Sequence, residues 1–334
     1  MEFSDIEEKI EHEAIEKSMQ MMSIQASSSD SNPEPGPPHE ALFLALAYLP
    51  VYELLSMSEV CLSLRDAVNT DVLSWINIIV DKPLNRRLSE EILMKITSKA
   101  EGKLRTLALI NCERITNRGL QQIIEKNPFI KKLYVPGCTG LTPEGIIKAV
   151  EKLSENKHTL ESLHIRGIYR ITKDHLRNLQ SYLQVNSPQQ NQKKQRHILY
   201  HEDTNYLLLA NEEGDRGIDV EICPKCDEVR MVFDCTKDAC KRKLPAYRCR
   251  GCCRCIPWCA ECGGCVELDS MEDAVCKDIL CLDCWLQLAK CNLCNKPYCR
   301  QHANLGSNSS DSPGFVCDVC QGQSQQLYYV EYEI

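Results

Sequence analysis

No stretch of this chain is apolar for long enough to cross a bilayer as a helix. The longest such run, Ala41 to Val51, falls far short of the roughly 20 residues a spanning helix needs. The first residues also lack a basic segment followed by an apolar one. They read MEFSDIEEKIEHEAIEKSM, with acidic residues in excess, which argues against a secretory signal. Positive charge is not in surplus either: 39 Lys and Arg stand against 47 Asp and Glu, a net charge of −8. Binding to a nucleic-acid backbone is therefore not the default expectation. These absences predict a chain without a membrane partner, working in the reducing nucleus and/or cytoplasm.

At 334 residues the length suggests about two or three domains. Residues 1–36 read as an acidic tail. Ile6, Ile10 and Ile15 give it only a thin apolar stripe, enough for a frayed, solvated helix. Ala26 to Pro38, rich in Ser, Pro and Gly, reads as a tether. Residues 37–80 change character. Leu42, Leu46 and Leu49 recur at helical spacing and share a face, while Phe43, Leu44 and Tyr48 leave a second apolar surface. Pro50 interrupts the pattern, and apolar segments resume at Leu54, Leu55, Met57 and Val60 and again at Leu64, Ala67 and Val68. Three short helices cannot bury both surfaces alone. The surplus face needs the rest of the chain or another protein.

The order of these residues resembles an F-box. Pro38 and Glu40 open the first helix, Leu49 and Pro50 close it, Val60, Cys61 and Arg65 follow, and Leu73 and Trp75 end the pattern. Pro37 stands where that family has Leu, and Leu64 where it has an aromatic; both keep apolar character. The resemblance implies docking on the Skp adaptor of a Skp–cullin–F-box ubiquitin ligase. The implied contact residues are Pro38, Glu40, Leu42, Leu46, Leu49, Pro50, Leu54, Leu55, Val60, Cys61, Leu64 and Trp75.

Residues 81–184 repeat themselves. LRTLALINCERITNRGLQQII, IKKLYVPGCTGLTPEGIIKAV and LESLHIRGIYRITKDHLRNL align. Leu107, Leu133 and Leu163 correspond, as do Thr116, Thr142 and Thr172. Gly119 and Gly145 correspond to His175. Each copy reads as an alternating strand, a turn and an amphipathic helix. This resembles the cysteine-containing leucine-rich repeat, in which Cys112 and Cys138 would be small buried turn residues and not ligands. Such units must stack to bury their apolar faces. The F-box and its linking segment, Ile76 to Val80, can cap one end and the cysteine-rich part the other. Exposed strand positions are expected at Arg105, Ala108, Lys132, Tyr134, Ser162 and His164.

Residues 185–196 are polar and Gln-rich and read as a linker. HILYH, NYLLLA and IDVEI then read as short strands, with NEEGD as a turn. Residues 197–334 form a cysteine-rich module: nineteen of the chain's 22 cysteines fall between Cys223 and Cys320. They recur as C-x-x-C, which puts two thiolates on one tight turn, both able to reach one ion at about 2.3 Å. In a reducing compartment such pairs mean zinc before disulfides. Large apolar residues are few here, so zinc should supply much of the folding free energy.

Four or five structural zinc ions are expected. One arrangement sets Cys281, Cys284, Cys299 and His302 on one ion, interleaved with Cys291, Cys294, Cys317 and Cys320 on another. Upstream, Cys223 and Cys226 could join Cys249 and Cys252, and Cys235 and Cys240 could join Cys259 and Cys262. Cys253, Cys255, Cys265 and Cys276 remain as spares or a fifth site. A catalytic zinc would call for His or carboxylate ligands and an open position, and His302 is the one His in these sets.

The fold class expected is α+β multidomain: a three-helix F-box, a short leucine-rich-repeat α/β solenoid, then an irregular zinc-stabilised module. The sequence of F-box, repeats, CPKC, CRCIPWCAECGGC and CLDCW resembles the plant F-box family of Skp-interacting partners. That resemblance implies a substrate adaptor with no catalytic residue of its own, partnered by the Skp adaptor, through it a cullin, and an unknown protein substrate. Two other readings stay open. The Cys/His tail could be a RING-like module acting as a ligase directly; Leu282 and Trp285 flank its first turn, but no Pro follows Cys320. Lys241, Arg242, Lys243, Arg248, Arg250 and Arg254 could make a zinc-based nucleic-acid reader, although a solvated basic loop beside thiolates explains them as well.

Overall fold

The computed structural model describes residues 39–155, 160–184, 198–202, 217–242, 249–305, 307–308 and 315–322. Pro38, the acidic tail, the tether, the 185–196 linker, NYLLLA, NEEGD, Lys243 and Arg248 lie outside them. The chain divides into two units. One comprises residues 1–194 and 209–220, the other residues 195–208 and 221–334. Among the described residues no helix is long and apolar enough to cross a membrane.

The first unit begins with three short helices, α1 (Glu40–Leu46), α2 (Val51–Ser58) and α3 (Leu62–Thr70). His39 starts α1, its Nδ1 accepting from the Ala41 N–H at 3.1 Å. Pro50 has no N–H to continue α1 and sits at the N-cap of α2, where that donor is not needed. Leu46, Val51, Leu54, Leu55, Leu64, Val68 and Trp75 close the core of this bundle. The Trp75 indole N–H donates to the Val68 carbonyl at 2.7 Å, so the largest buried side chain leaves no orphan donor there.

The chain then enters a four-stranded parallel sheet of order β1-β2-β3-β4: β1 (Asn77–Val80), β2 (Thr106–Leu109), β3 (Lys132–Tyr134) and β4 (Ser162–His164). A helix follows each strand: α4 (Glu90–Ser98), α5 (Asn117–Lys126), α6 (Pro143–Glu155) and α7 (Lys173–Gln184). Ile78, Leu107, Leu133 and Leu163 stand in register across the sheet, and all are fully buried. The segment expected to be a plain link, Ile76 to Val80, is thus mostly the first strand. β1 with α4 is a unit that the three aligned copies did not reveal.

The turns after the strands also stack. Asn111, Gly137 and Gly167 occupy equivalent places, all at positive φ. The Asn111 N–H donates to the Pro136 carbonyl and the Gly137 N–H to the Arg166 carbonyl. Behind them a polar residue in the first turn of a helix reaches the next unit, Glu90 and Asn117 meeting its Thr and Glu144 its His. Glu90 Oε1 accepts from the Thr116 N–H and hydroxyl. Asn117 accepts from the Thr142 N–H and donates to its hydroxyl. Glu144 pairs with His175 at 3.5 Å. A Cβ on Gly145 would lie 2.0 Å from Asn117 Oδ1, so that glycine makes room for the reach. In the last unit His175 replaces the glycine and becomes the partner itself. Cys112 and Cys138 are buried as expected; the Cys138 thiol donates to the Leu109 carbonyl.

Of the strand positions expected to be exposed, Arg105 is exposed and the other five are not. Ala108, Tyr134 and Ser162 are buried, while Lys132 and His164 are half-buried. The Tyr134 and His164 rings stack at 4.0 Å, so neighbouring side chains on the strands cover one another. The outer edge of β4 is covered by residues 217–220 of the same unit. Ile218 bridges Leu163, and the buried Asp219 carboxylate accepts from the Ile165 and Arg166 N–H groups. The cysteine-rich unit accordingly gives up these residues to its predecessor.

Alanine at Gly137 would place a Cβ 2.0 Å from Asn111 Oδ1 on a backbone at φ +67°. Gly137→Ala is expected to cost about 1–3 kcal/mol, read as a lower unfolding midpoint for the first unit by calorimetry. Asn111→Gly in the same chain should recover part of the loss. An unaltered midpoint in the single variant would contradict the stacked-turn account.

Candidate metal centres and exposed helical face

The second unit is built from strands of two or three residues: β5 (Glu221–Ile222) with β6 (Val229–Arg230), β7 (Phe233–Asp234) with β8 (Arg250–Gly251), β9 (Met271–Asp273) with β10 (Ile279–Cys281), and β11 (Ser307–Asn308) with β12 (Phe315–Val316). Among its described residues are two short α-helices, α8 (Asp238–Lys241) and α9 (Leu282–Gln287), and three 3-10 turns. Its apolar clusters are small and are made in good part of cysteine.

One turn recurs three times. At Cys223, Cys259 and Cys291 the cysteine carbonyl accepts from the N–H four residues on, and the cysteine N–H donates to the carbonyl five residues on. The residue four places on, Asp227, Gly263 or Asn295, has positive φ. This fold of the chain turns both sulfurs of a C-x-x-C to one side, as two ligands of one ion require.

The turns bring five ligand sets together: Cys223, Cys226, Cys252 and Cys255; Cys235, Cys240, Cys249 and Cys265; Cys259, Cys262, Cys281 and Cys284; Cys291, Cys294, Cys317 and Cys320; and Cys276, Asp278, Cys299 and His302. Within each set the ligand atoms lie within 4.8 Å of one another. The sulfurs of Cys226 and Cys252, of Cys240 and Cys265, and of Cys294 and Cys317 are 3.8 Å apart, and those of Cys262 and Cys281 3.9 Å. The edge of a tetrahedron with bonds of about 2.3 Å is roughly 3.8 Å, so the four-thiol sets have the dimensions of a zinc site.

Each four-thiol set also contains one sulfur held by backbone donors. The Cys252, Cys265 and Cys317 N–H groups donate to Cys223, Cys235 and Cys291 at 3.3 Å. Burial pushes the Cys223 and Cys291 thiols up, but the converging N–H groups outweigh it and hold both at about 6. The Cys235 thiol is lowered in the same balance. For Cys259 the hydrogen bond from Cys262 leads, and its pKa falls to about 4. A thiolate is the ligand form of cysteine, and these four sulfurs are prepared to be one.

Of the ligand sets expected from spacing, the set at Cys291, Cys294, Cys317 and Cys320 is the one the structure assembles as drawn. Cys249 does not join Cys223 and Cys226. β7 pairs with β8, and the Cys235 N–H donates to the Cys249 carbonyl at 3.1 Å, which draws Cys249 into the set of Cys235 and Cys240. Cys252 and Cys255 then close the first set. Cys259 and Cys262 go with Cys281 and Cys284, not with Cys235 and Cys240, and Cys299 and His302 meet Cys276 and Asp278 instead. Cys255, Cys265 and Cys276, left over in the sequence reading, are ligand candidates, and Asp278 was missed altogether. The missed signal is overlap: Cys252 lies at C-x-x-C spacing from both Cys249 and Cys255, and Cys262 from both Cys259 and Cys265. Cys253, exposed, belongs to none of the five sets.

In the helical bundle the expected contact residues separate. Leu46, Leu54, Leu55, Leu64 and Trp75 are buried in the bundle's own core. Leu42, Leu49, Pro50 and Cys61 are half-buried, and Glu40 and Val60 are exposed. Of the second apolar surface read from the sequence, Leu44 and Tyr48 are exposed and Phe43 is half-buried. The exposed large apolar side chains are Leu44, Tyr48, Tyr52, Val60, Leu62 and Leu73.

Residues 38–75 match the F-box domain family, and residues 219–293 match the At3g27290 F-box protein C-terminal domain. The chain is 42% identical over 307 residues to F-box protein SKIP28 of Arabidopsis thaliana, covering 89% of this chain and 94% of that one. It is 35% identical over 249 residues to F-box protein SKIP14 of the same plant, and 34% over 252 to F-box protein At3g27290. Each match takes in 74% of this chain, but only 54% of SKIP14 and 65% of At3g27290, which extend well beyond it. A likeness of this depth to SKIP28, over nearly the whole of both chains, makes this protein a member of the SKIP family of F-box proteins.

Proposed function

We propose that this protein is the substrate-holding subunit of a Skp–cullin–F-box ubiquitin ligase, acting in the nucleus and/or cytoplasm. The observation that carries the reading is the exposed apolar face of a bundle whose core is already closed. Leu44 is 75% exposed and Tyr48 70%, both on or just after a seven-residue helix. Large apolar side chains gathered outside a finished core mark a contact surface, and in an F-box the partner is the Skp adaptor. The protein itself then supplies position, not chemistry: a bound substrate is brought to a conjugating enzyme at high effective concentration.

The in-register parallel strands, each followed by a helix, support reading the middle of the chain as a short leucine-rich-repeat solenoid. β1 and α4 are its divergent first unit. The four sets of four cysteines fit zinc in donor type and in sulfur spacing. Zinc, when bound, would close these turns as a structural ion. The repeats and the zinc unit are the parts left to hold a substrate.

Leu44→Asp and Leu62→Asp put charge on the outer face and leave the core intact. Each is expected to weaken Skp binding by about 2 kcal/mol or more, roughly thirtyfold in Kd, with an unaltered circular dichroism spectrum. Skp binding at full strength in both variants would contradict the reading. Leu54→Asp should instead unfold the bundle, since Leu54 is 1% exposed and a carboxylate there has no partner. For the metal unit, Cys255→Ser should lower the zinc content of the full chain by one equivalent, and Cys253→Ser should leave it unchanged. Chelation should open the second unit to protease while Skp binding persists. Protease resistance retained after zinc removal would rule out a folding role for the metal.

A further inference from the structure

The fifth ligand set differs from the other four in composition and in its supports. Cys276 and Asp278 lie on the turn between β9 and β10. That turn is closed without metal: the Ala274 N–H donates to the Asp278 carbonyl and the Lys277 N–H to the Ala274 carbonyl, both at 3.0 Å, with Lys277 at φ +66°. Cys299 and His302 lie on one turn of chain, where the His302 N–H donates to the Cys299 carbonyl at 2.9 Å. Asp278 Oδ2 sits at the hub. It is 3.2 Å from Cys276 Sγ, 3.1 Å from Cys299 Sγ and 3.1 Å from His302 Nδ1, and Cys299 Sγ is 3.2 Å from His302 Nδ1. A tetrahedral ion with bonds of about 2.0–2.3 Å to such donors separates them by roughly 3.3–3.6 Å. A few tenths of an ångström of outward movement would admit one.

We infer that Cys276, Asp278, Cys299 and His302 form a fifth zinc site, one that exchanges its metal while the other four retain theirs. This rests on the zinc reading of the four-thiol sets and goes beyond it. Two of four thiolates are replaced, one by imidazole and one by a carboxylate, and the softer thiolates are the donors that select zinc. The Asp278 side chain is 30% exposed and that of His302 43%, so a competing chelator can approach the two non-sulfur donors. The frame around the site also has ties of its own. The Val275 N–H donates to the Pro297 carbonyl at 2.8 Å, and Glu261 accepts from the Arg300 N–H at 2.9 Å and pairs with its guanidinium. Release of the fifth ion therefore leaves the turns in place.

The sequence positions give the site a meaning. Cys276 and Asp278 fall between the two pairs of the third set, and Cys299 and His302 between the two pairs of the fourth. The exchangeable ion thus couples two permanent ones.

The test uses the full-length chain. Zinc per chain is counted by elemental analysis, and its release is followed with 4-(2-pyridylazo)resorcinol. Five equivalents are expected, one leaving in a separate fast phase. Asp278→Ala should lose that equivalent alone and keep the other four. Asp278→Cys, which restores a thiolate, should keep five and abolish the fast phase. Cobalt substitution adds a spectroscopic check: Asp278→Cys should raise the thiolate-to-metal absorption, because one more sulfur then binds. Four equivalents in the parent chain, unchanged in Asp278→Ala, would show a hydrogen-bonded cluster without metal and overturn the inference. Five equivalents leaving in one phase would overturn it too, as would loss of more than one in Asp278→Ala. A chain with no zinc would instead overturn the zinc reading of the whole unit.

Discussion

Between Cys223 and Cys320 every ligand set encloses part of another. The first set is completed by Cys252 and Cys255 only after Cys235, Cys240 and Cys249 of the second have gone by. The second waits for Cys265, beyond Cys259 and Cys262 of the third. The third and fifth interleave, and then the fifth and fourth. No set can be assembled from one continuous stretch, so each closure pins the loop that contains half of its neighbour. Strands of two or three residues and apolar clusters built around cysteine could not provide that restraint. In so short a polypeptide, ions held by such sets would do the work that a hydrophobic core does elsewhere.

The first unit solves the same problem with apolar surface. Leu107, Leu133 and Leu163 stack because the strands are parallel and in register, and one helix per strand closes the layer. Polar groups set the spacing. Asn111 and Gly137 carry one line of backbone hydrogen bonds, and Glu90, Asn117 and Glu144 another of side-chain contacts. Asp219 ends the sheet by taking two N–H groups that an unpaired edge strand would otherwise present.

Much of this was legible in the sequence, and the failures share a cause. The three aligned copies gave the strands and helices from Thr106 to Gln184, and the Thr correspondence marked the helix starts. The first unit escaped because NIIV lacks the alternating pattern and no glycine follows in its helix. C-x-x-C spacing pointed to sulfur clusters able to hold metal ions, but a chemical spacing says nothing of which pairs meet. Overlapping pairs at Cys249, Cys252 and Cys255 left the choice to the β7–β8 pairing, a non-local contact between strands of two residues. Asp278 carried no signal at all, because an aspartate beside a cysteine is ordinary until Cys299 and His302 are brought to it.

The helical bundle shows the same limit in another form. Periodicity says which residues share a face, not which face is inside. Leu42 and Leu46 lie one turn apart on α1, Leu49 falls beyond its end, and Leu46 packs into the core with Leu54, Leu64 and Trp75. The surface left over holds Leu44 and Tyr48, with Tyr52, Val60, Leu62 and Leu73. Removing apolar surface from water is worth about 25 cal/mol per Å². Side chains as exposed as these therefore hold a substantial part of their hydrophobic free energy in reserve. Because the core is complete without them, that reserve is not needed for folding the bundle and is available for association. A bundle with a closed interior and an apolar exterior is a preformed surface, which a partner would meet with little ordering cost.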